Sequence, residues 1–202
     1  MNCPGGTVCL IDNSNYFQSQ VPEGRLDPLD LQRRLEANGK IDEYHFFVAE
    51  KDRSSQETFY NYVERSLRWR VHRYQLEQRS TECPSCMHSW RTYAEKGVDV
   101  GLAMTAQRMA LKGKMKKAVI VSGDADFSEL VKYLVQLGIQ VQVVGWKGSM
   151  SQDLAAASRV PVIYLNEPKH HSAPLTQDLR WSPFQQLLPG LRANRVTSAV
   201  IA

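Results

Sequence analysis

Residues 118–130, AVIVSGDADFSEL, decide how the chain is read. Ala118 to Val121 is a short unbroken apolar run rich in β-branched residues, the composition of a strand covered on both faces. Ser122, Gly123 and Asp124 interrupt it. From Phe127 onward, Leu130, Val131, Leu134 and Leu137 recur at helical spacing until Gly138 stops the pattern. A strand that turns directly into a helix, with Asp124 and Asp126 at the turn, sets two carboxylates at the C-terminal edge of a parallel sheet.

The rest of the chain repeats this alternation. Val8–Ile11, Phe46–Ala49, Val141–Val144 and Val162–Leu165 read as further buried strands. Asp27 caps a helix that starts at Pro28, carries Leu31 and Leu35, and ends at Asn38-Gly39. Ser54 with Glu57 has the spacing of a capping box before Phe59, Tyr62, Val63 and Leu67. A helix over 98–111 puts Asp99, Ala103, Ala106 and Ala110 on one side, small residues suited to close approach to the sheet, with Asp99 facing inward. The sum is an α/β domain over residues 1–167, a three-layer α/β/α arrangement with a mostly parallel sheet. Two stretches depart from it. Residues 68–96 alternate like strands around Cys83-Pro-Ser-Cys86 and read as an inserted CxxC hairpin, and the proline-bearing tail 168–202 reads as a loosely ordered appendage.

A chain of 202 residues with 43% hydrophobic content can bury a full core. Its net charge of +4 permits a polyanionic partner without requiring one. No apolar run approaches the roughly 20 residues needed to span a bilayer, and the N-terminus lacks the pattern of a signal peptide, so a soluble cytoplasmic protein with no membrane partner is expected. Cys3, Cys9, Cys83 and Cys86 are too few and too unevenly spaced for a disulfide scaffold, and read as thiols or metal ligands.

Asp12, which ends the first strand, joins Asp99, Asp124 and Asp126 in the argument. Singly, each has an ordinary structural role: Asp12 to Asn15 a turn, Asp126 with Glu129 a helix cap, and Asp99 a complement to a helix dipole. Jointly they fall where consecutive parallel strands end. Carboxylates crowded there repel unless a divalent cation neutralises them, which points to Mg²⁺ or Mn²⁺ on oxygen ligands.

The segments LIDNSNY (10–16), EKGVDVGLAM (95–104), VIVSGDADFSELV (119–131) and GIQVQVVGW (138–146) together resemble the NYN domain of the LabA-like branch of the PIN-like nuclease superfamily, over about residues 7–167. The resemblance implies a PIN-like Rossmannoid fold and a metal-dependent ribonuclease, a hydrolase of RNA phosphodiester bonds, or in some relatives a regulatory protein. It assigns Asp12, Asp99, Asp124 and Asp126 to the catalytic metal site, with Asn15 and Ser122 in support. The chain departs from the family in its CPSC hairpin and in placing Arg159 where an acidic residue often stands.

Single-stranded RNA could be guided by Arg65, Arg68, Arg70, Arg73 and Arg79 together with Lys96, Lys112, Lys114, Lys116 and Lys117, with Trp69, Tyr74, Trp90 and Tyr93 as stacking surfaces. Of these, Arg70, Arg73 and Lys96 are the chosen candidates. The competing reading is a solvated face opposite a packed one. Cys83 and Cys86 make half of a Zn²⁺ site; His88, His72, Cys3 or a second subunit in a homodimer could complete it, and free or redox-active thiols are the alternative. Two other function classes compete. A haloacid-dehalogenase-like phosphatase needs a second acid two residues after Asp12, where Ser14 stands. A non-catalytic regulatory or RNA-binding protein on the same fold needs only the scaffold.

Overall fold

The computed structural model describes residues 5–18, 26–50 and 56–167. The readings placed on Cys3, Ser54 and the tail 168–202 lie outside them.

The chain opens with β1 (Gly6–Asp12), α1 (Asn13–Gln18), α2 (Pro28–Glu36) and β2 (Glu43–Glu50). Next come α3 (Glu57–Asn61), a wider turn over Tyr62–Ser66, β3 (Arg70–Gln75), β4 (Glu77–Glu82), β5 (Ser89–Ala94) and α4 (Val98–Leu111). The second half runs β6 (Met115–Val121), a short turn of 3₁₀ helix (Ala125–Phe127), α5 (Ser128–Gln136), β7 (Gln140–Gly145), α6 (Gln152–Ala157) and β8 (Ile163–Tyr164).

Six strands form one sheet in the order β3-β2-β1-β6-β7-β8, with every pairing parallel. Strand pleating explains the layers. In β1, Val8 and Leu10 enter one core with Leu102, Ala106, Ile120 and Leu134, while Cys9 and Ile11 enter the other with Leu31, Phe46, Trp69 and Val121. Helices therefore cover both faces. The chain builds outward from β1 in one direction through β2 and β3, then returns to lay β6, β7 and β8 on the other side. The order in which strands are added thus reverses between β1 and β6, and the crevice beyond their C-terminal ends is where open α/β sheets bind ligands.

Local chemistry explains the boundaries. Asp27 Oδ1 accepts from Leu29 N at 2.7 Å, Pro28 occupies the first turn of α2, and Gly39 follows the helix at φ +125°. The helix α3 is preceded by Gln56, which makes no side-chain capping bond. Gly97 sits at φ +82° immediately before α4, a left-handed conformation that admits glycine without strain.

Three expectations are corrected. Residues 70–75, read as part of a hairpin, form β3 of the main sheet, paired with β2 from His45↔Arg70 to Glu50↔Gln75. Only β4 and β5 form a separate antiparallel ribbon, in register from Glu77↔Ala94 to Glu82↔Ser89, with Cys83–His88 at its tip. The buried face of α4 is Val98, Leu102, Thr105, Ala106 and Met109, so Asp99 lies exposed at the shoulder rather than facing inward. The cap before α5 is also displaced, because it is Asp124 that accepts from Asp126 N, at 3.1 Å.

Gly101 in α4 packs directly over the ring of Tyr74 from β3, so that a side chain added there would overlap Tyr74 Oη. Gly101→Ala is expected to destabilise the fold by about 1–3 kcal/mol. In a Tyr74→Ala background the same change should become neutral or stabilising by up to about 1 kcal/mol, since alanine is the better helix former. Denaturant unfolding of the four proteins reads this coupling; additive effects would refute the contact.

Candidate functional site

Asp12 ends β1 and is the most enclosed acid of the group, 2% exposed. A buried carboxylate needs donors, and three are present. Its Oδ1 accepts from Ser14 N at 3.1 Å and Ser14 Oγ at 2.7 Å, and its Oδ2 accepts from Ser122 Oγ at 3.0 Å. The Ser122 oxygen accepts in turn from Asp124 N at 3.1 Å. A continuous chain of bonds therefore runs from the turn after β6 to the end of β1. Gly123 makes room for this turn: a side chain there would collide with the Ser149 carbonyl and come within 3.3 Å of Asn15 Nδ2.

Asp124 is half-buried and Asp126 exposed, both at the start of the segment leading into α5. Asp99 reaches the same region from the first turn of α4. Its carboxyl is held above the usual range first by partial desolvation, then by the negative charges of Asp12, Asp124 and Asp126. The other three acids chosen from the sequence thus act electrostatically on Asp99. Asn15 lies beside Gly123 and Ser122 is buried between Asp12 and Asp124, so both supporting residues fall at the same place.

Two participants escaped the sequence reading. Glu95, between β5 and α4, has its carboxyl raised by partial desolvation, with Asp12 and Asp99 adding to the rise and a hydrogen bond with the Ser14 side chain opposing it. Ser14 therefore stands between two acids. Its single hydroxyl proton, which is donated to Asp12 Oδ1, cannot serve both at once. In the sequence, only the adjacency of Glu95 to the KGVD segment could have signalled it.

The donor set is carboxylate, hydroxyl and amide oxygen, the chemistry that suits a hard divalent cation. Asn13 Oδ1, next to Asp12, is buried with no hydrogen-bond partner and adds another such oxygen. As placed, no three His, Cys, Asp or Glu side chains among the described residues are gathered closely enough to share one ion. Asp12, Asp124 and Asp126 are within repulsion distance of Asp99, and the carboxylates of Asp99 and Asp126 are exposed. An open cleft of about 470 Å³ is lined by Asp126, Glu129, Lys132 and Asp153 among others, and of the four acids Asp126 alone borders it. Its one lysine is already bonded to Glu129, at 2.6 Å.

The basic and aromatic residues divide. Arg73 binds Glu57 at 2.8 Å and Glu64 at 3.5 Å and lies 4.7 Å over the Tyr60 ring, which makes it a structural brace between β3 and α3. Arg70 starts β3 and pairs with Glu43 at 3.2 Å, at the N-terminal edge of the sheet. Lys114 is at that edge too, its carbonyl bonded to Gly6 N, so the lysines of residues 112–117 gather about 20 Å from the acids by strand length. Lys96, exposed and paired with Glu77 at 3.3 Å, directly follows Glu95 and is the candidate that remains near the site. Trp69 is buried, stacked on Tyr44 with centroids 5.1 Å apart, and Tyr74 lies under α4. Only Trp90 and Tyr93 of the four aromatics are exposed.

The cysteines divide as well. Cys9 is fully buried, and desolvation pushes its thiol well above the usual range. His72 cannot serve the CPSC turn, since it bonds His45 at 2.9 Å and stacks on Phe47 with centroids 4.4 Å apart inside the sheet.

Comparison with known proteins gives a consistent account. The NYN domain family model matches residues 7–166. Among solved structures, a protein of unknown function from Vibrio parahaemolyticus is similar, with a TM-score of 0.58 and 17% sequence identity, over 83% of this chain and 97% of that one. No curated protein matches the chain. No described helix is long and apolar enough to cross a membrane.

The raised Asp99 and Glu95 carboxyls carry a stability consequence. A carboxyl whose folded pKa exceeds its unfolded value binds more protons when folded, so stability falls as pH rises from the ordinary carboxylate range through the raised values. Asp99→Asn should therefore raise the melting temperature by roughly 2–4 °C at neutral pH in chelator-treated buffer. The gain should vanish as pH falls into the carboxylate range. Equal melting curves at neutral pH would show that the acids do not repel.

Proposed function

The chain belongs to the NYN domain family, and from that premise we propose that it is a divalent-metal-dependent ribonuclease hydrolysing RNA phosphodiester bonds. The observation that carries the reading is the electrostatic convergence of Asp12, Asp99 and the Asp124/Asp126 pair at the β1/β6 switch point. The KGVD and SGDAD segments support the LabA-like branch within the PIN-like superfamily. A cytoplasmic location suits an RNA substrate, preferably single-stranded.

Asp12, Asp99, Asp124 and Asp126 would hold Mg²⁺ or Mn²⁺. When bound, such an ion neutralises a phosphoryl oxygen, lowers the pKa of bound water and steadies the leaving oxygen. The protein's own groups set the stage. Asp12 is fixed by Ser14 and Ser122, so its carboxylate cannot swing away. Asp99 and Glu95, with raised carboxyls, are the groups suited to take a proton from water or return one to the leaving oxygen. No cysteine or serine nucleophile is required. A non-catalytic RNA-binding role on the same scaffold is the second reading, favoured by the distance between the acids as placed.

The experiment is cleavage of labelled single-stranded RNA in Mn²⁺ or Mg²⁺. Asp12→Asn and Asp124→Asn are each expected to lower the rate by at least ~100-fold, and Ser122→Ala by roughly 10–100-fold, with the fold retained by circular dichroism. Metal-dependent cleavage that survives the double Asp12→Asn, Asp124→Asn change would overturn the assignment; RNA binding without turnover in the wild type would favour the second reading.

RNA affinity provides a separate check. Lys96→Ala should weaken binding and reduce its salt dependence by about one phosphate contact. Arg73→Ala should leave the salt slope unchanged and lower the melting temperature instead, by several degrees.

A further inference from the structure

The β4–β5 ribbon is not part of the main sheet. Two strands alone are marginally stable in water, and most of this ribbon is exposed, including Met87 at 70%, Trp90 at 43% and Tyr93 at 41%. Its tip is nevertheless tightly built. Cys83 N donates to His88 O and Met87 N to Cys83 O, each at 2.9 Å, and Met87 takes a left-handed φ of +56°. The backbone N–H groups of Ser85 and Cys86 donate to the Cys83 sulfur, and the Cys83 and Cys86 side chains are in hydrogen-bond contact. Two sulfurs are thus brought together at the outermost point of a ribbon that has little core of its own. Among the described residues no third His, Cys, Asp or Glu is grouped with the pair. His88 is turned instead toward Trp90, with rings 6.4 Å apart.

We propose that Cys83 and Cys86 are half of a structural zinc site, completed by the same two cysteines of a second copy, so that one Zn²⁺ joins two hairpin tips. Structural zinc is four-coordinate and tetrahedral, and a CxxC turn delivers two thiolates at the required spacing. A two-fold axis through the ion makes the contact self-complementary, which closes the assembly at a dimer. On binding, each of the four thiols releases its proton to solvent and each sulfur forms one bond to Zn²⁺, with no change of oxidation state. The backbone N–H donors at Cys83 offset part of the resulting negative charge. Met87, beside the cysteines, then lies against the partner tip rather than in water.

The test uses the full chain purified under reducing conditions without chelator. Elemental analysis and sedimentation should find one zinc per two chains and a dimer. Chelation should give a zinc-free monomer, and returning Zn²⁺ should restore the dimer. Cobalt substitution should give the charge-transfer absorption of a tetrathiolate site. Cys83→Ser with Cys86→Ser should be monomeric and zinc-free, whereas His88→Ala should keep both properties. A zinc-free wild type, one zinc per monomer, or a dimer that survives the double serine change would each overturn the proposal. If the serine variant does not fold, reversible chelation of the wild type decides alone. None of these readouts depends on ribonuclease activity.

Discussion

The hydrogen bond from Ser122 to Asp12 joins the ends of two strands laid down 110 residues apart. A carboxylate buried at 2% exposure would be costly without donors, so this bond and the pair from Ser14 are conditions for placing an acid there at all. The same bond fixes relative height. Parallel pairing from Val8↔Ala118 to Ile11↔Val121 aligns β1 with β6, and Ser122 then falls one residue past the last pair, within reach of Asp12. Register, turn and site are consequences of one alignment.

The central strands were legible because their signal is composition. Runs such as VCLI, AVIV and VQVV have no other home in a protein of this size. The edge strand β3 was not, because RVHRYQ is half-exposed and its alternation suits an antiparallel ribbon as well as a parallel edge. What assigns it to the sheet is contact with β2: the His45–His72 bond and the stacking of His72 on Phe47. Burial explains why His45 can occupy that position uncharged. Desolvation first, then the nearby positive charges of His72 and Arg70, lower its pKa to about 4, against a smaller opposing influence of Glu43. The face of α4 was misjudged for a related reason. Alanines at 103, 106 and 110 share one side that only flanks the buried face of Val98, Leu102, Thr105 and Met109, so small size alone does not say which side meets the sheet.

That Asp12 and Asp124 fall at one edge of the sheet was readable since strand-to-helix turns in a parallel sheet share one edge. Glu95 was not readable. Its meeting with Ser14 depends on an excursion through β4 and β5 that returns the chain to the sheet edge, and no local pattern encodes that return. The basic residues failed in the opposite sense. Counting charges cannot tell the two ends of a sheet apart, and the lysines at 112, 114, 116 and 117 follow α4 back to the end remote from the acids.

Opposed charge at the two ends of the sheet constrains how a polyanion can be handled. Phosphates are attracted to the lysine-bearing edge and repelled at the β1/β6 crevice, where Asp12, Asp99, Asp124, Asp126 and Glu95 lie. If the acids are the site of RNA cleavage proposed above, steering by net charge would deliver the RNA to the other end. On the proposed reading, productive approach would require that the acids be neutralised locally, and the raised carboxyls of Asp99 and Glu95 favour partial neutralisation by protons. A protonated acid is a weaker partner for a cation and a poor acceptor for a proton from water, so protons and a divalent ion compete for the same oxygens. Asp99 and Glu95 are consequently most fully charged, and contribute least to stability, in the pH range where they would bind a cation best.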